Sequence, residues 1–170
     1  GWRVVDRPPV RFRRPCGMRA LPIPERGGTI ESLRRLLNVS TESDFVLTAA
    51  YILACLRGTG PYPVLVVTGE QGSAKSTFFE VLRALVDPNT ASLRALPREE
   101  MELFITATNS HVLAFDNVSR LPDWLSDALC RIATGGGYAV RQLYTTADER
   151  IFDAVRPIML NGIADIVKRP

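Results

Sequence analysis

Apolar residues recur at the spacing of a helix in five segments of this chain, and capping or turn residues bound these segments. The segments predicted to be helical are residues 30–37, 45–56, 77–86, 97–106 and 122–134. The second of them is apolar along almost its whole length. Because it is shorter than the roughly 18–20 residues that a membrane span requires, it predicts a buried helix and no membrane partner.

Short apolar runs rich in β-branched residues predict strands that are buried on both faces. The runs are residues 64–67, 112–115 and 158–160, with residues 91–96 as a weaker candidate. Since these runs alternate with the later helical segments, the pattern predicts an α/β fold with three layers and a central, mainly parallel sheet. Two further β-prone runs, residues 138–144 and 151–155, predict a hairpin inserted before the last strand.

The composition changes along the chain. Residues 1–28 contain seven arginines, two acidic residues and five prolines, which predicts an extended basic connector. The remaining residues carry fourteen basic and sixteen acidic groups. We therefore divide the chain into this connector, a helical region at residues 29–60 and an α/β core at residues 61–170. We expect the core to be incomplete at its C-terminal end and the chain to be cut from a longer polypeptide.

The three cysteines and the single histidine do not form a metal-binding or catalytic motif. Cys16, Cys55 and Cys130 are widely spaced and lack partners at zinc-ligand spacing, so we expect reduced thiols. His111 opens an apolar strand and is interpreted as a packed residue without a catalytic role. The N-terminus has no secretory signal, and we expect a cytoplasmic protein.

A glycine-rich loop follows the first predicted strand. The sequence GEQGSAKS, residues 69–76, matches the phosphate-binding pattern G-x-x-x-x-G-K-[ST] except that Ala74 replaces the last glycine. Such a loop leaves a strand and opens a helix, so that backbone N–H groups converge on phosphate oxygens. The predicted ATP-binding set is Gly69, Glu70, Gln71, Gly72, Ser73, Ala74, Lys75, Ser76 and Thr77. The alternative is an ordinary glycine-rich turn.

Within this loop, Lys75 is expected to neutralise the β and γ phosphates, and the hydroxyl of Ser76 to coordinate Mg²⁺. Asp116 ends the second buried strand and fits the acid that holds Mg²⁺ through water. Asn117 stands where many ATPases place a glutamate, and an amide cannot accept the proton of the attacking water. The alternative for both residues is a turn at the strand end, with side chains bonded to local backbone.

Asn161 ends the last predicted strand, where its amide would bond the γ phosphate or the attacking water. On local grounds an Asn-Gly turn is an equally good interpretation. Arg141 lies in the predicted hairpin and is a candidate for contact with DNA, with Tyr138 and Tyr144 as stacking groups. Solvated charge on a hairpin is the alternative. The arginines of the connector either follow nucleic-acid phosphates or pack on a neighbouring domain.

Four motifs follow in order between residues 69 and 163: GEQGSAKST, HVLAFDN, GGGYAVRQLY and RPIMLNGI. In this order they resemble the ATPase core of superfamily-three helicases, as found in phage and mobile-element primase-helicase proteins. The resemblance implies a P-loop fold related to AAA+ proteins, a strand order of the 5-1-4-3-2 kind, Mg-ATP binding, assembly of a homo-oligomeric ring such as a hexamer, and movement along DNA.

The resemblance also implies roles by position. Lys75 and Ser76 belong to the first motif, Asp116 to the second, Arg141 to a hairpin that faces the central pore, and Asn161 to the sensor. Lys75, Asp116 and Asn161 are thus the candidate catalytic residues. The chain departs from the family pattern at Ala74 and Asn117. We also expect it to stop before a fifth strand, a lid and an arginine that acts on a neighbouring subunit.

We therefore expect the ATP-binding and ATP-hydrolysing core of a helicase-like or primase-helicase-like DNA replication protein, with weak activity in this fragment. The alternative is a nucleotide-dependent DNA-binding or regulatory module that binds ATP without efficient hydrolysis. A small-molecule phosphotransferase would need an acceptor pocket and an arginine-rich lid, and no sequence after Asp116 suggests them.

Overall fold

Helices and strands alternate through most of the computed structural model, which describes residues 3–5, 7–136, 138–141, 149–152 and 154–163. The α-helices are α1 (Glu42–Cys55), α2 (Lys75–Val86), α3 (Glu100–Asn109) and α4 (Asp123–Thr134), and a 3-10 helix spans Ile30–Leu36. The strands are β1 (Val64–Thr68), β2 (Leu113–Phe115), β3 (Tyr138–Arg141), β4 (Glu149–Phe152) and β5 (Ile158–Gly162). Within the described ranges, no helix is long and apolar enough to cross a membrane.

Three of the strands form a parallel sheet in the order β1-β5-β2. In its register Val64 and Leu113 both pair with Ile158, so the three strands end at the same edge. Strand β5 lies in the middle and is buried at every residue. β3 and β4 pair antiparallel as a separate ladder, with Tyr138 opposite Phe152. The structure thus confirms an α/β fold with a small parallel sheet.

Helices cover both faces of this sheet. Ile158 and Leu160 of β5 belong to the apolar cluster that includes α3 and α4. Met159, which points to the opposite face, belongs to the cluster that includes α1 and α2. The alternation of side chains along a strand explains this division. The result is three layers of helix, sheet and helix.

The helical region before β1 shares this core. Phe45 and Ile52 of α1 pack in the same cluster as Phe79 and Met159. The hydroxyl of Tyr51 donates a hydrogen bond of 3.0 Å to the carbonyl of Ile158, at the start of β5. Residues 29–60 therefore form part of one packed unit with the sheet.

A buried ion pair lies at the C-terminal end of α2. Arg83 and Asp87 are each about 1% exposed in their side chains, and their closest charged atoms lie 3.1 Å apart. Burial lowers the pKa of the Arg83 guanidinium, and the nearby carboxylate of Asp87 opposes that shift. Asp87 also accepts a hydrogen bond from the backbone N–H of Val112, just before β2. The pair thus links the end of a helix to the start of a strand.

Two local predictions differ from the structure. Residues 91–96 do not form a strand, because only Arg94 of this segment makes a bridge, to Phe115 at the end of β2. Ser92 instead presents its carbonyl to the buried guanidinium of Arg83. The segment predicted as a helix at residues 30–37 is a 3-10 helix, and its N-cap Thr29 makes no capping hydrogen bond through its side chain.

The basic connector is anchored to the core by its backbone. Met18 bridges to Asn89, and the N–H of Arg19 donates to the carbonyl of Pro88 at 2.8 Å. The N–H of Thr90 donates back to the carbonyl of Gly17 at 2.9 Å. The described residues of the connector form no helix, and around Met18 they lie against the chain that follows α2.

Candidate functional site

The predicted loop, acid and sensor meet at the carboxyl edge of the parallel sheet. The loop leaves β1 after Thr68, Asp116 follows the last residue of β2, and Asn161 lies near the end of β5. Parallel strands place their carboxyl ends at the same edge, so residues far apart in sequence become neighbours there. The structure therefore brings three of the predicted elements to one place.

The carboxylate of Asp116 is the centre of this group. The hydroxyl of Ser76 donates to its Oδ2 at 2.9 Å. The side-chain amide of Asn161 donates to its Oδ1. The N–H of Asn117 also donates to Oδ1, at 2.8 Å. Asp116 thus holds both a local backbone bond, typical of a turn, and two side-chain bonds that connect the end of β2 to the start of α2 and to β5.

Lys75 is folded back onto the loop that precedes it. Its Nζ donates to the carbonyls of Gly69 at 2.8 Å and Glu70 at 2.6 Å. It also lies 3.2 Å from the hydroxyl oxygen of Ser73. These contacts hold the ammonium group, which is half-buried, inside the curve of the loop.

The loop contains two left-handed residues. Gly72 has a φ of +83°, a conformation in which a side chain is strained. Ala74 has a φ of 62° and a ψ of 24°, although it carries a side chain. The common pattern has a glycine at this position. Ala74 replaces it and still adopts the left-handed conformation, at a cost of about 1–2 kcal/mol.

The N-terminus of α2 opens toward the same cleft. Helix α2 begins at Lys75, and its N-cap Ala74 makes no capping hydrogen bond. The first N–H groups of a helix have no acceptor within the helix, and they favour a negative charge nearby. The cleft has a volume of about 690 Å³. Its lining is Gln71, Gly72, Ser73, Ala74, Lys75, Ser76, Thr77, Asp116, Asn117, Asn161, Gly162 and Ile163.

Oxygen atoms suited to Mg²⁺ are present in this cleft. The hydroxyl of Ser76 and the carboxylate of Asp116 already lie within hydrogen-bond distance of each other. Mg²⁺ is usually held by one or two carboxylates together with substrate phosphates and water. Across the described ranges, no group of three or more His, Cys, Asp or Glu side chains could enclose a metal by itself. The donors present therefore fit a cation shared with a phosphate.

Asn161 belongs to the sheet and not to an Asn-Gly turn. It pairs with Val67, and Gly162 pairs with Thr68. Its side chain is 2% exposed, and its amide oxygen is buried with no hydrogen-bond partner among the described residues. Because a carboxylate only accepts hydrogen bonds, the amide nitrogen must face Asp116. An unpaired, buried oxygen therefore remains at the carboxyl edge.

Arg141 ends β3 and pairs with Glu149 of β4. The side chains of Arg141 and Tyr138, and the whole of Tyr144, lie outside the described part of the chain. The proposed contact with DNA through Arg141 stays a prediction.

The sequence interpretation missed one residue that contacts the loop. The side-chain amide of Asn38 donates to the carbonyl of Ser73 at 3.2 Å. Next to it lies a second cavity of about 410 Å³, which is bordered by β1, Ser40 and Thr48 and also reaches Lys75. The only sequence signal was the polar run after residue 37, which resembles a helix-capping segment.

His111 and the cysteines lie away from the loop. His111 donates through Nε2 to the carbonyl of Cys55 at 2.7 Å and packs edge-on against Tyr62. Cys55 is buried, whereas Cys16 and Cys130 are exposed, and all three are free thiols. The structure therefore places the histidine as a packed residue.

Residues 30–170 match the family model of an actinomycete integrative conjugative element replication protein. No curated protein and no solved structure matches the chain significantly. The family match supports the part of the sequence interpretation that predicted a role in the replication of a mobile element. Because the match covers most of the chain, this protein belongs to the family of actinomycete integrative conjugative element replication proteins.

Proposed function

We propose that this chain is the Mg-ATP-binding core of a helicase-like replication protein. The observation that carries the proposal is the hydrogen-bonded group of Ser76, Asp116 and Asn161 at one edge of the sheet. Asp116 and Asn161 are 45 residues apart in sequence, and Ser76 and Asp116 are 40 apart. A local turn would not require this convergence, whereas a phosphate and metal site would.

The order of the strands supports the same proposal. The strand before the loop, the strand with Asn161 and the strand with Asp116 lie side by side. This is the 1-4-3 part of the order that the resemblance to superfamily-three helicases implies. Arg94 bridges to the free side of β2, where the next strand of that order would lie.

In the proposed complex, Lys75 exchanges its bonds to the loop carbonyls for bonds to phosphate oxygens. The exchange is favourable because an ammonium group gains more from a charged acceptor than from a neutral carbonyl. The free N–H groups at the start of α2 add partial positive charge in the same direction. Gly69 and Gly72 let the backbone approach the phosphates. Thr77 at the helix start would bind the α phosphate.

Ser76 and Asp116 would hold Mg²⁺, which when bound neutralises charge on the phosphates. Ser76 would contribute its hydroxyl directly, and Asp116 would act through water. Asn161 would keep one amide hydrogen bond to Asp116 and turn its free oxygen toward the γ phosphate region, where it would orient water.

The same cleft suggests that hydrolysis is slow in this chain. Asp116 is the only carboxylate among the described residues that line it. If Asp116 serves the metal, no second carboxylate is left there to accept a proton from water. Asn117 occupies the adjacent position with an amide that does not act as a base. Efficient turnover would then need a proton acceptor from a neighbouring subunit, in a homo-oligomeric ring that moves along DNA. An arginine of that neighbour would stabilise charge on the γ phosphate but could not accept the proton.

Asn117 also favours a second function, in which ATP acts as a switch for DNA binding or regulation without efficient turnover. The two functions share the binding site and differ in phosphate release. Release of phosphate by the chain, measured with and without DNA and compared with Lys75→Ala, separates them. Binding without release in the presence of DNA supports the switch.

Binding itself is tested by titrating a fluorescent ATP analogue with and without Mg²⁺. Lys75→Ala is expected to weaken binding by about 100-fold, equivalent to about 2.7 kcal/mol. Arg35→Ala is the matched control, because Arg35 is exposed and distant in sequence, and it removes one positive charge as well. Asp116→Asn is expected to abolish the gain in affinity that Mg²⁺ gives. Absence of binding by the unaltered chain at roughly millimolar analogue, an affinity of only about −4 kcal/mol, contradicts the proposal.

A further inference from the structure

A cleft lined by five arginines lies at the opposite edge of the sheet. It has a volume of about 740 Å³ and is enclosed by the basic connector and by the C-terminal ends of α1, α2 and α3. We call it the basic cleft. Its arginines are Arg13, Arg14, Arg19, Arg57 and Arg156. None of them lines the cleft at the carboxyl edge that contains Lys75.

Two of these arginines have structural partners. Arg57 donates to the carbonyl of Pro61, and Arg156 donates to the carbonyl of Ala107 at 2.8 Å. Arg13, Arg14 and Arg19 are exposed, and their side chains make no hydrogen bond or ion pair with any described residue. Three guanidinium groups are therefore available to a ligand.

The backbone of the connector is attached to the core at Arg19, the last of these three arginines. The bridge between Met18 and Asn89 and the hydrogen bond from Arg19 to Pro88 attach the connector beside α2. A fixed backbone reduces the entropy that a bound ligand must remove from the connector. The cleft is thus built before any ligand arrives.

The charge of the basic cleft is positive. Asp87 is the one carboxylate among its described lining residues. This carboxylate is buried and paired with Arg83, so it does not balance the exposed arginines. The C-terminal ends of three helices carry partial negative charge toward the cleft, and the arginines exceed it.

An unpaired hydroxyl supplies a second, independent observation. Ser110 lines the basic cleft and is 4% exposed. Its Oγ is buried and has no hydrogen-bond partner among the described residues. Leaving such a group unsatisfied costs about 1–3 kcal/mol, and a ligand with an acceptor oxygen would recover part of that cost. Because a serine hydroxyl can donate as well as accept, an acceptor oxygen of a ligand fits this site.

We propose that the basic cleft binds the phosphate backbone of DNA, as a second contact separate from the hairpin. Guanidinium groups match phosphate oxygens in bidentate geometry, and phosphates also accept from a serine hydroxyl. Phe12 lines the same cleft and is 80% exposed, which suits stacking with a base. Membership in a replication protein family makes DNA the polyanion that this chain meets.

The test is fluorescence anisotropy with labelled single-stranded and duplex oligonucleotides, measured without nucleotide. The triple variant Arg13→Ala, Arg14→Ala, Arg19→Ala is expected to lose about tenfold or more in affinity at low salt. The dependence of log K on log salt should become shallower by about 2 for single strands, since each phosphate contact contributes about 0.7. The variant should bind Mg-ATP as the unaltered chain does, so this proposal and the nucleotide proposal fail separately.

The matched control is Arg7→Ala, Arg35→Ala, Arg98→Ala, which removes the same charge from exposed positions outside the cleft. It should lose less than about threefold, because only direct phosphate contacts release counterions at the site. Equal losses in the two triple variants, or an unchanged affinity in the first, overturn the proposal. Ser110→Ala should maintain or raise the melting temperature, because it removes an unsatisfied buried hydroxyl, and it should weaken DNA binding a few-fold. An unchanged affinity would exclude the hydroxyl from the site.

Discussion

At the carboxyl edge of the sheet, Ser76 and Asn161 bond to Asp116, and α2 begins there without a side-chain cap. At the amino edge, helices end, and the charged residues there include a buried ion pair and the five arginines of the basic cleft. The same strands pass through both edges. The difference therefore arises from the direction of the helices and not from the sheet.

This direction decides how much side-chain charge an anion site needs. Helix N-termini attract anions through free N–H groups, so the proposed anion site at the carboxyl edge would need only the single lysine of the loop. Helix C-termini present carbonyl oxygens, which repel anions. An anion site at the amino edge must therefore be made from side chains, and this protein places five arginines there.

The largest difference in stability between the edges is expected from the buried ion pair. Arg83→Met should lower the free energy of unfolding by about 3–5 kcal/mol, because it leaves the carboxylate of Asp87 buried and unpaired. Ser76→Ala at the carboxyl edge should cost no more than about 1 kcal/mol, since its bond to Asp116 is exposed. Urea unfolding measures both.

The double variant Arg83→Met, Asp87→Asn is the control for that experiment, because an amide oxygen can still accept the hydrogen bond from the N–H of Val112. It should recover much of the loss, because it removes the unpaired charge as well. Similar losses of unfolding free energy for Arg83→Met and Ser76→Ala would show that the amino edge does not contribute more to stability than the carboxyl edge.

A smaller loss of stability is expected at alkaline pH. Burial raises the pKa of the Cys55 thiol from 9.0 to about 11, and burial also raises the pKa of the Tyr51 hydroxyl well above 10.0. Well below pH 9.0 the Cys55 thiol is neutral in both states and its contribution is complete. As the pH rises toward 11, the unfolded chain releases the proton first, so stability falls by up to about 3 kcal/mol for Cys55.

Urea unfolding at pH 9.0 and pH 11 measures this fall. Cys55→Ala removes the thiol, so its loss of stability between the two pH values should be smaller than that of the unaltered chain. The same loss in both proteins would assign the fall to other groups and would contradict the raised pKa of Cys55.

The smallest effect concerns the left-handed residues of the carboxyl edge. Ala74→Gly should raise the free energy of unfolding by about 0.5–1 kcal/mol, because relief of the left-handed strain exceeds the entropy cost of glycine. Asn117→Gly should change it less, since asparagine tolerates its φ of 56°. Thermal or urea unfolding compares the two, and a larger gain at position 117 would contradict the strain assigned to Ala74.

Local patterns in the sequence predicted most of the elements. The three parallel strands and all four α-helices lie close to their expected ranges because their apolar spacing and bounding residues agree. Asn161 was ambiguous, since an Asn-Gly pair favours a turn locally. Its pairing with Val67 is a long-range contact, and only the fold could select the strand.

Other features depend on burial that the sequence does not reveal. Arg83 and Asp87 have the i, i+4 spacing of a helical ion pair, yet that spacing is most common on exposed faces. The attachment of the connector beside Pro88 rests on backbone hydrogen bonds, which carry no side-chain pattern. The basic cleft was therefore visible from the sequence only as an excess of arginine in residues 1–28.

The position of β5 has a consequence for synthesis of the protein on the ribosome. β5 is the central strand of the parallel sheet and the last of its three strands to be made. Until Ile158 emerges, β1 has no strand beside it and β2 has only the bridge to Arg94 among its described contacts. Tyr51 likewise lacks the acceptor of a bond that spans 107 residues. The sheet therefore folds only after β5 has been made. Until then, its apolar strands are exposed to chaperones.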